Sequence, residues 1–166
     1  AASTVGGNLS ATATTGNITD NGKLTIAGTS SFTTSADNAD ITLNNPNAFT
    51  GAVALTTNGS GNATIDNGPT ALNIAASSVG GNLTLTSGAA AGITDSGTIT
   101  VAGNLVATTD ANNGLINLGT LAVDGTVALT TNGSGNATAV NDAGLTFAAS
   151  TVGGNLAATA TTGNMA

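Results

Sequence analysis

The segment AASTVGGNL at residues 1–9 returns as AASSVGGNL at residues 75–83 and again as AASTVGGNL at residues 148–156. The spacing is nearly constant, since the copies begin at Ala1, Ala75 and Ala148. Recurrence at a fixed distance is the signature of a repeat architecture, in which one structural unit stacks on the next. The sequence therefore predicts a stacked array.

Other segments repeat at the same distance. ALTTNGSGNAT at residues 54–64 recurs unchanged at residues 128–138. NITDNGKLTIAG at residues 17–28 matches GITDSGTITVAG at residues 92–103. These matches predict one domain, residues 1–166, divided into repeats 1–74 and 75–147 and the partial repeat 148–166.

A shorter period lies inside the long one, because a glycine precedes each new run of alternating aliphatic residues. The successive glycines are separated by about 20 to 30 residues, which is the length of one solenoid coil. This spacing predicts about seven coils, three to a long repeat, with equivalent residues of successive repeats lying directly above one another. The glycines are Gly7, Gly28, Gly51, Gly81, Gly103, Gly125 and Gly154.

Within each interval the aliphatic residues alternate with Thr, Asn, Ala and Ser, the period-two pattern of strands with one buried face. Turn sequences such as NG and SG divide each interval into about three short strands, and no apolar set follows a helical period. The sequence predicts that these side chains point inward: Leu24, Ile26, Ile41, Leu43, Val53, Leu55, Leu83, Leu85, Ile99, Val101, Val127, Leu129, Leu145 and Phe147.

An antiparallel sandwich and a parallel solenoid both accommodate short alternating strands. Near-identical segments at fixed offsets favour the solenoid, because its coils stack about 4.8 Å apart and bring like positions together. The composition agrees with a narrow interior, since Trp and Tyr are absent and Phe occurs three times. Seven coils give a rod on the order of 30 Å long.

Composition also excludes classes of partner. Eight Asp and the single Lys23 give a net charge of −7. Nucleic acids and anionic membranes are bound by clusters of Lys and Arg, and one cation does not form a cluster. No apolar run is long enough to span a membrane, and the absence of Cys rules out a disulfide framework.

The succession of motifs resembles the repeat region of filamentous-haemagglutinin-like adhesins, which Gram-negative bacteria secrete by the two-partner route. The resemblance implies a right-handed parallel β-helix that forms a fibre at the cell surface or in the extracellular matrix. It implies attachment to cells or to a biofilm matrix, with exopolysaccharide or a host-surface glycan as the partner. The motifs are VGGNL (5–9), DITLNN (40–45), FTGAVALTT (49–57), ALNIAAS (71–77) and GITDSGTITVAG (92–103).

Four asparagines follow the recurring glycine of these motifs, which predicts that they lie at coil corners. Asn at such a position adopts unusual φ values or bonds to neighbouring backbone. We expect stacked amides there, with a ligand-binding row as the alternative. The residues are Asn8, Asn82, Asn104 and Asn155.

A polysaccharide-processing enzyme is an alternative function for a β-helix, and its chemistry requires paired carboxylates in one groove. Asp20 and Asp95 are repeat equivalents, so coil stacking predicts that they lie about three coils, or about 14 Å, apart. Asp37 and Asp40 in SADNAD form the closest acidic pair and are a weak candidate for Ca²⁺, against a solvated turn. The sequence predicts no catalytic residue and no cofactor, because His and Cys are absent.

An ice-binding β-helix is the other alternative. It requires a flat and regular row of threonines, whereas the threonines here are expected to shift in register and to share their faces with Asn and Ala. The sequence thus favours a non-enzymatic structural or adhesive shaft.

Overall fold

The computed structural model describes all residues from 1 to 166 and contains twenty strands and no helix. Every strand pairing is parallel, so the chain forms an all-β solenoid of about seven coils, as predicted. Three strands make up most coils. In chain order the strands are β1 (Ser3–Val5), β2 (Leu9–Ala13), β3 (Ile18–Thr19), β4 (Leu24–Ile26), β5 (Ser30–Asp37), β6 (Ile41–Leu43), β7 (Ala48–Phe49), β8 (Val53–Asn58), β9 (Ala63–Asp66), β10 (Leu72–Ile74), β11 (Ser77–Val79), β12 (Leu83–Ser87), β13 (Ile93–Asp95), β14 (Ile99–Val101), β15 (Leu105–Thr109), β16 (Ile116–Val123), β17 (Thr126–Thr131), β18 (Ala137–Asn141), β19 (Thr146–Phe147) and β20 (Leu156–Ala160).

The strands form the three faces of a prism. Face 1 is the seven-stranded sheet β3, β6, β9, β12, β15, β17 and β19. Face 2 begins with β1, β4 and β7 and continues through β10, β13, the first half of β16, β18 and β20. Face 3 contains β2, β5, β8, β11, β14 and the second half of β16. Faces 2 and 3 join where β16 turns the corner at a register shift between Leu118 and Leu121.

The inward side chains of each strand stack on the equivalent side chains of the next coil and so form columns along the prism. On face 1 the column runs through Ile18, Ile41, Ala63, Leu83, Leu105, Val127 and Phe147. The inward positions predicted from the alternation are confirmed: all are buried except Leu24 and Phe147, which are half-buried against the same core. Phe32 and Phe49 are both buried in the lower coils, with their rings edge to face and their centroids 5.7 Å apart.

The long repeat does not consist of three whole coils, and this part of the prediction is wrong. From Thr56 the column on face 3 rises through Ser78 and Thr100 to Ala122, which is a climb of three coils. The repeat equivalent of Thr56 is Thr130, which follows Ala122 by eight positions and lies on face 1. One long repeat therefore spans three coils plus one face, and each repeat is rotated by one face relative to the previous one.

The same rotation separates other residues that were expected to lie above one another. Leu9 is on face 3 and its equivalent Leu83 is on face 1. Asp20 lies after β3 of face 1, whereas Asp95 ends β13 of face 2. Within a column the residues do stack, but they come from successive coils and not from successive long repeats.

The coils themselves are more uniform than the glycine intervals indicated. Paired residues are 19 to 23 positions apart, from 19 between Ala137 and Leu156 to 23 between Ser30 and Val53. The two longest glycine intervals, which begin at Gly51 and at Gly125, contain one coil plus one extra face, because the glycines occupy three corners. The first column contains Gly7, Gly28 and Gly51, the second contains Gly61, Gly81, Gly103 and Gly125, and the third contains Gly114, Gly135 and Gly154.

These corner glycines are required because the coils approach closely there. The Gly103 N–H donates to Gly81 O at 3.0 Å, and a Cβ at Gly103 would lie 2.6 Å from Gly81 O and 2.6 Å from Asn82 Oδ1. Real Cβ atoms do not tolerate such contacts with backbone. The glycine thus sets the spacing between coils at each corner.

Candidate functional surfaces

A ladder of side-chain amides joins the coils at the corner between faces 3 and 1. The backbone N–H of Asn82 donates to Asn62 Oδ1, that of Asn104 to Asn82 Oδ1 and that of Thr126 to Asn104 Oδ1, each at 2.8 Å. Below them, Asp40 Oδ1 accepts the N–H of Asn62 at 2.7 Å, and Asn17 Oδ1 accepts the N–H of Asp40 at 2.9 Å. Five consecutive hydrogen bonds thus continue the backbone pairing around the corner.

The other two corners use the same contact. Asn8 Oδ1 accepts the N–H of Thr29 at 2.9 Å, and Asn136 Oδ1 accepts the N–H of Asn155 at 2.7 Å. The expected backbone bonding is confirmed for Asn8, Asn82 and Asn104. None of these corner asparagines has a positive φ, so unusual backbone geometry is not their role.

A second set of asparagines, which was not predicted from the sequence, is buried inside the corners. Asn47, Asn67 and Asn141 are at most 1% exposed. The Asn67 amide accepts the Phe49 N–H at 2.7 Å and donates to Phe49 O at 3.1 Å, so it pairs with that residue as a strand would. Asn141 makes the same pair of bonds with Val123, at 2.8 and 3.0 Å.

A signal for these residues was present in the alternation. Asn67 continues the inward positions Ala63 and Ile65 of β9, and Asn141 continues those of β18. An Asn in phase with buried aliphatic residues indicates an amide that satisfies backbone groups inside the fold, because a buried polar group without partners is strongly unfavourable.

Asp37 and Asp40, the weak candidates for Ca²⁺, both bind to the coil above them. Asp37 is exposed and its Oδ1 accepts the Asn58 side-chain N–H at 2.7 Å. Asp40 is half-buried and holds both the backbone and the side chain of Asn62. No group of three or more acidic, His or Cys side chains is placed to hold a metal ion. A Ca²⁺ site at these two residues stays a prediction.

Asp20 and Asp95 make the same kind of hydrogen bonds at two different corners. Asp20 accepts the backbone N–H groups of Asn44 and Asn45, each at 3.2 Å. Asp95 accepts those of Gly119 and Thr120 at 3.0 and 2.7 Å. Each carboxylate therefore satisfies two successive N–H groups of the turn in the coil above, which accounts for an Asp at both positions.

A shallow groove of about 280 Å³ lies where faces 2 and 3 meet in the upper coils. Asp142 is the one acidic residue in its lining, which otherwise consists of Thr98, Gly119, Thr120, Leu121, Val140 and Thr161. Glycoside hydrolysis by the usual mechanism uses two carboxylates across the scissile bond. The groove does not supply that pair.

Face 3 carries an aligned column of hydroxyl groups on its outer side. Thr12, Thr33, Thr56, Ser78 and Thr100 pair in register, one per coil, before the column ends at Ala122. The expectation that the threonines shift in register is wrong for this column. The column beside it contains Ser10, Ser31 and Ala54.

Comparison with known protein families gives one match. The family described as repeats of unknown function, DUF5649, matches residues 1–56 and 60–113. The chain belongs to the DUF5649 family. No curated protein and no solved structure matches the chain.

For this DUF5649 member, the match covers the corner ladder from Asn17 to Asn104, the buried Asn67 and the hydroxyl column of face 3 up to Thr100. Its regular features are thus coil-to-coil contacts, and those contacts recur at all three corners. None of its segments forms a helix long and apolar enough to cross a membrane.

Proposed function

We propose that this chain is a stretch of a stiff, non-enzymatic shaft in a filamentous-haemagglutinin-like adhesin, secreted to the bacterial surface or extracellular matrix. The observation that carries the proposal is the rotation of each long repeat by one face. A protein that grows by such repeats lengthens along one axis, and no face accumulates the same residues from every repeat.

The contacts between coils support a mechanical role. Ninety-four backbone hydrogen bonds hold the chain together, and the corner amides add further bonds where the strands turn. The core is one continuous cluster of 28 buried residues along the axis. Because each coil contacts only its neighbours, length can be added without a new core.

The surface supports weak, repeated contacts with carbohydrate. It carries nine charged side chains in 166 residues and is otherwise rich in hydroxyl and amide groups. Such groups form hydrogen bonds with sugars, and a long rod multiplies weak contacts into useful avidity. Exopolysaccharide or a host-surface glycan is therefore the proposed partner, and neighbouring repeats of the same parent chain are the proposed structural partners.

The shaft is tested by adding one further long repeat to the chain and imaging both proteins by electron microscopy. Three and one-third coils add about 16 Å to the rod at an unchanged width. A wider or globular particle contradicts the shaft. Binding to purified exopolysaccharides and a glycan array tests the adhesive part, and turnover of any of these polysaccharides would contradict a non-enzymatic role.

The hydroxyl column on face 3 favours ice binding as a second candidate. Its members are uncharged and lie one coil apart, which gives a regular row about 4.8 Å in period. Rotation of the repeats weighs against it, because Thr130, the equivalent of Thr56, lies on a different face. Thermal hysteresis that disappears in Thr56→Lys and persists in Val106→Lys on face 1 would support ice binding over the shaft.

A further inference from the structure

Several asparagines in the chain are followed directly by glycine, namely Asn21, Asn58, Asn67, Asn113 and Asn132. In such a pair the backbone nitrogen of the glycine can attack the side-chain amide carbon of the asparagine. Glycine favours this reaction because it has no Cβ to obstruct the approach. The reaction also requires a mobile side-chain amide, a backbone N–H without a partner and access to water, and these conditions distinguish the pairs in this structure.

Two of the pairs are held by hydrogen bonds at the reacting atoms. In Asn67-Gly68 the asparagine is buried with its amide fully bonded, and the glycine N–H donates to Asp66 Oδ1 at 2.7 Å. In Asn113-Gly114 the glycine N–H donates to Ala111 O at 3.1 Å. Neither pair meets the conditions for attack.

The pairs Asn58-Gly59 and Asn132-Gly133 form a matched comparison. They lie in identical segments, residues 54–64 and 128–138. Their turns have the same conformation, with φ of 61° at Gly59 and 56° at Gly133. All four residues are exposed, and neither glycine N–H donates a hydrogen bond. The backbone of both pairs is therefore equally open to reaction.

The coil above makes the same contact with both turns. Gly80 N–H donates to Thr57 Oγ1 and Gly153 N–H donates to Thr131 Oγ1, each at 3.0 Å. Both glycines belong to copies of the VGGNL segment. A difference between the two pairs must therefore come from the coil below.

The coils below the two turns contribute loops of different sequence, residues 34–39 and 109–114. Each loop is closed by a hydrogen bond from its first threonine to its last backbone carbonyl, and each bonds to the turn above through an asparagine Oδ1. The two loops therefore align position by position. Asp37 of the first loop corresponds to Asn112 of the second.

This one difference holds the amide of Asn58 and leaves that of Asn132 free. Asn58 Nδ2 donates to Asp37 Oδ1 at 2.7 Å and to a backbone carbonyl of the same loop at 3.1 Å, so both amide hydrogens are bonded. Asn112 instead directs its Nδ2 downward to Gly88 O at 2.7 Å. The side chain of Asn132 makes no hydrogen bond and can turn toward the nitrogen that follows it.

We propose that Asn132 is a site of spontaneous deamidation in the folded protein, and that Asn58 in the same sequence is protected. The Gly133 nitrogen loses its proton to solvent and forms a bond to Asn132 Cγ. The Cγ–Nδ2 bond then breaks, and the leaving nitrogen takes up a proton and departs as ammonia. Water opens the cyclic succinimide at either carbonyl, which gives aspartate or isoaspartate, and water is the only other reactant.

The product changes the surface of the prism at one corner. It adds a carboxylate to a chain whose net charge is −7. In the isoaspartate form the backbone also runs through the former side chain, which disturbs the turn bond from Gly135 N–H to Asn132 O. This reaction depends on the turn and its neighbours and does not depend on the adhesin assignment.

Protection at Asn58 has two physical sources. Its amide must leave two acceptors before Cγ can reach the Gly59 nitrogen, and one of these acceptors is a carboxylate. The charge of Asp37 also opposes the negative charge that develops on that nitrogen. We expect Asn132 to deamidate about tenfold faster than Asn58.

Mass spectrometry of the chain during incubation in mildly alkaline buffer measures both rates. Deamidation exchanges an amide for a hydroxyl in the intact mass, and electron-transfer fragmentation locates each event, so the first-coil pair at Asn21 is read separately. In urea the two identical segments should react at equal rates. Equal rates at Asn58 and Asn132 in the folded chain, or no reaction at Asn132 while the urea sample reacts, would overturn the proposal.

Removal of the Asp37 carboxylate tests the cause of the protection. Asp37→Ala should raise the rate at Asn58 to nearly that at Asn132 and leave Asn132 unchanged, so the second site reports any general loosening of the fold. Asp124→Ala is the matched control, because Asp124 is exposed and its carboxylate makes no hydrogen bond, and it should change neither rate. An unchanged rate at Asn58 in folded Asp37→Ala contradicts protection by this contact.

Discussion

Replacement of the buried Asn67 by alanine is expected to destabilise the solenoid strongly. The Asn67 amide makes four hydrogen bonds, to Phe49 N–H at 2.7 Å, Phe49 O at 3.1 Å, Thr70 O at 3.2 Å and Ala71 O at 2.8 Å. The two amide hydrogens are shared among three acceptors, so at about 1 kcal/mol of net stability for each full bond Asn67→Ala lowers the free energy of unfolding by about 3–4 kcal/mol. Since domains of this size are stable by roughly 5–15 kcal/mol, that loss is a large fraction of the total.

Urea denaturation followed by far-UV circular dichroism measures the loss as a shift of the midpoint. Asn67→Asp keeps the side-chain volume but removes the three donor contacts, so we expect it to be at least as destabilising as Asn67→Ala. The repeat equivalent Asn141 makes three such bonds, and Asn141→Ala is expected to lose about 3 kcal/mol. Asn132 is exposed and its side chain makes no bond, so Asn132→Ala changes stability by less than about 0.5 kcal/mol. If Asn67→Ala is no more destabilising than Asn132→Ala, the amide does not replace strand pairing at this corner.

Three further substitutions follow from the same contacts. Ser30 is 3% exposed and its hydroxyl has no hydrogen-bond partner, so Ser30→Ala should raise the free energy of unfolding by about 1 kcal/mol in urea titration. Ser77→Ala removes the hydrogen bonds to Leu55 N–H and Ala75 O and should lower the free energy of unfolding by about 1–2 kcal/mol in the same titration. Gly81→Ala should lower the midpoint of thermal unfolding markedly, because the added Cβ forces two coils apart. The equivalent Gly7→Ala should leave the midpoint within a few degrees of the original. Equal midpoints for the two variants would mean that the close contact between coils is not the reason for a glycine at this corner. Asp95→Ala leaves the backbone N–H groups of the turn at Gly119 and Thr120 without their acceptor. It should lower the free energy of unfolding, measured by urea titration, by about 1–3 kcal/mol. An unchanged midpoint would mean that water replaces the carboxylate.

The local architecture could be predicted from the sequence because its signals are local. The alternation in segments such as GKLTIAG identified inward residues, and glycine-asparagine pairs identified corners. The arrangement of repeats around the axis could not be predicted in the same way. Nothing in the AASTVGGNL segment distinguishes a corner between faces 2 and 3 from one between faces 3 and 1. The face on which a copy lies is decided by the number of residues between copies. The long repeat is eight residues longer than three coils, and these eight residues carry the next copy to the next face.

The polar interior was harder to predict than the apolar one. An inward leucine needs only neighbours of similar size, whereas Asn67 is buried because a particular backbone group in another coil lacks a strand partner. Strand β7 is short and ends at Phe49, so the backbone N–H of Phe49 bonds to the Asn67 side chain and not to a neighbouring strand. Asp40 is a similar case, since its carboxylate occupies one position of a ladder that is otherwise made of asparagines, and only the register identifies that position.

The interchangeable corners explain how one sequence repeat can build the prism at any rotation. The copies at residues 1–9, 75–83 and 148–156 form a corner before face 3, before face 1 and before face 2 in turn. Each copy turns the chain and begins a strand with the same glycine and the same asparagine, and the bonds it makes involve only the adjacent coils. Folding information is therefore confined to nearest neighbours, so duplication of a repeat requires no compensating change elsewhere. Such duplications produce a prism whose three sides are equivalent on average, which agrees with the proposed role as a shaft.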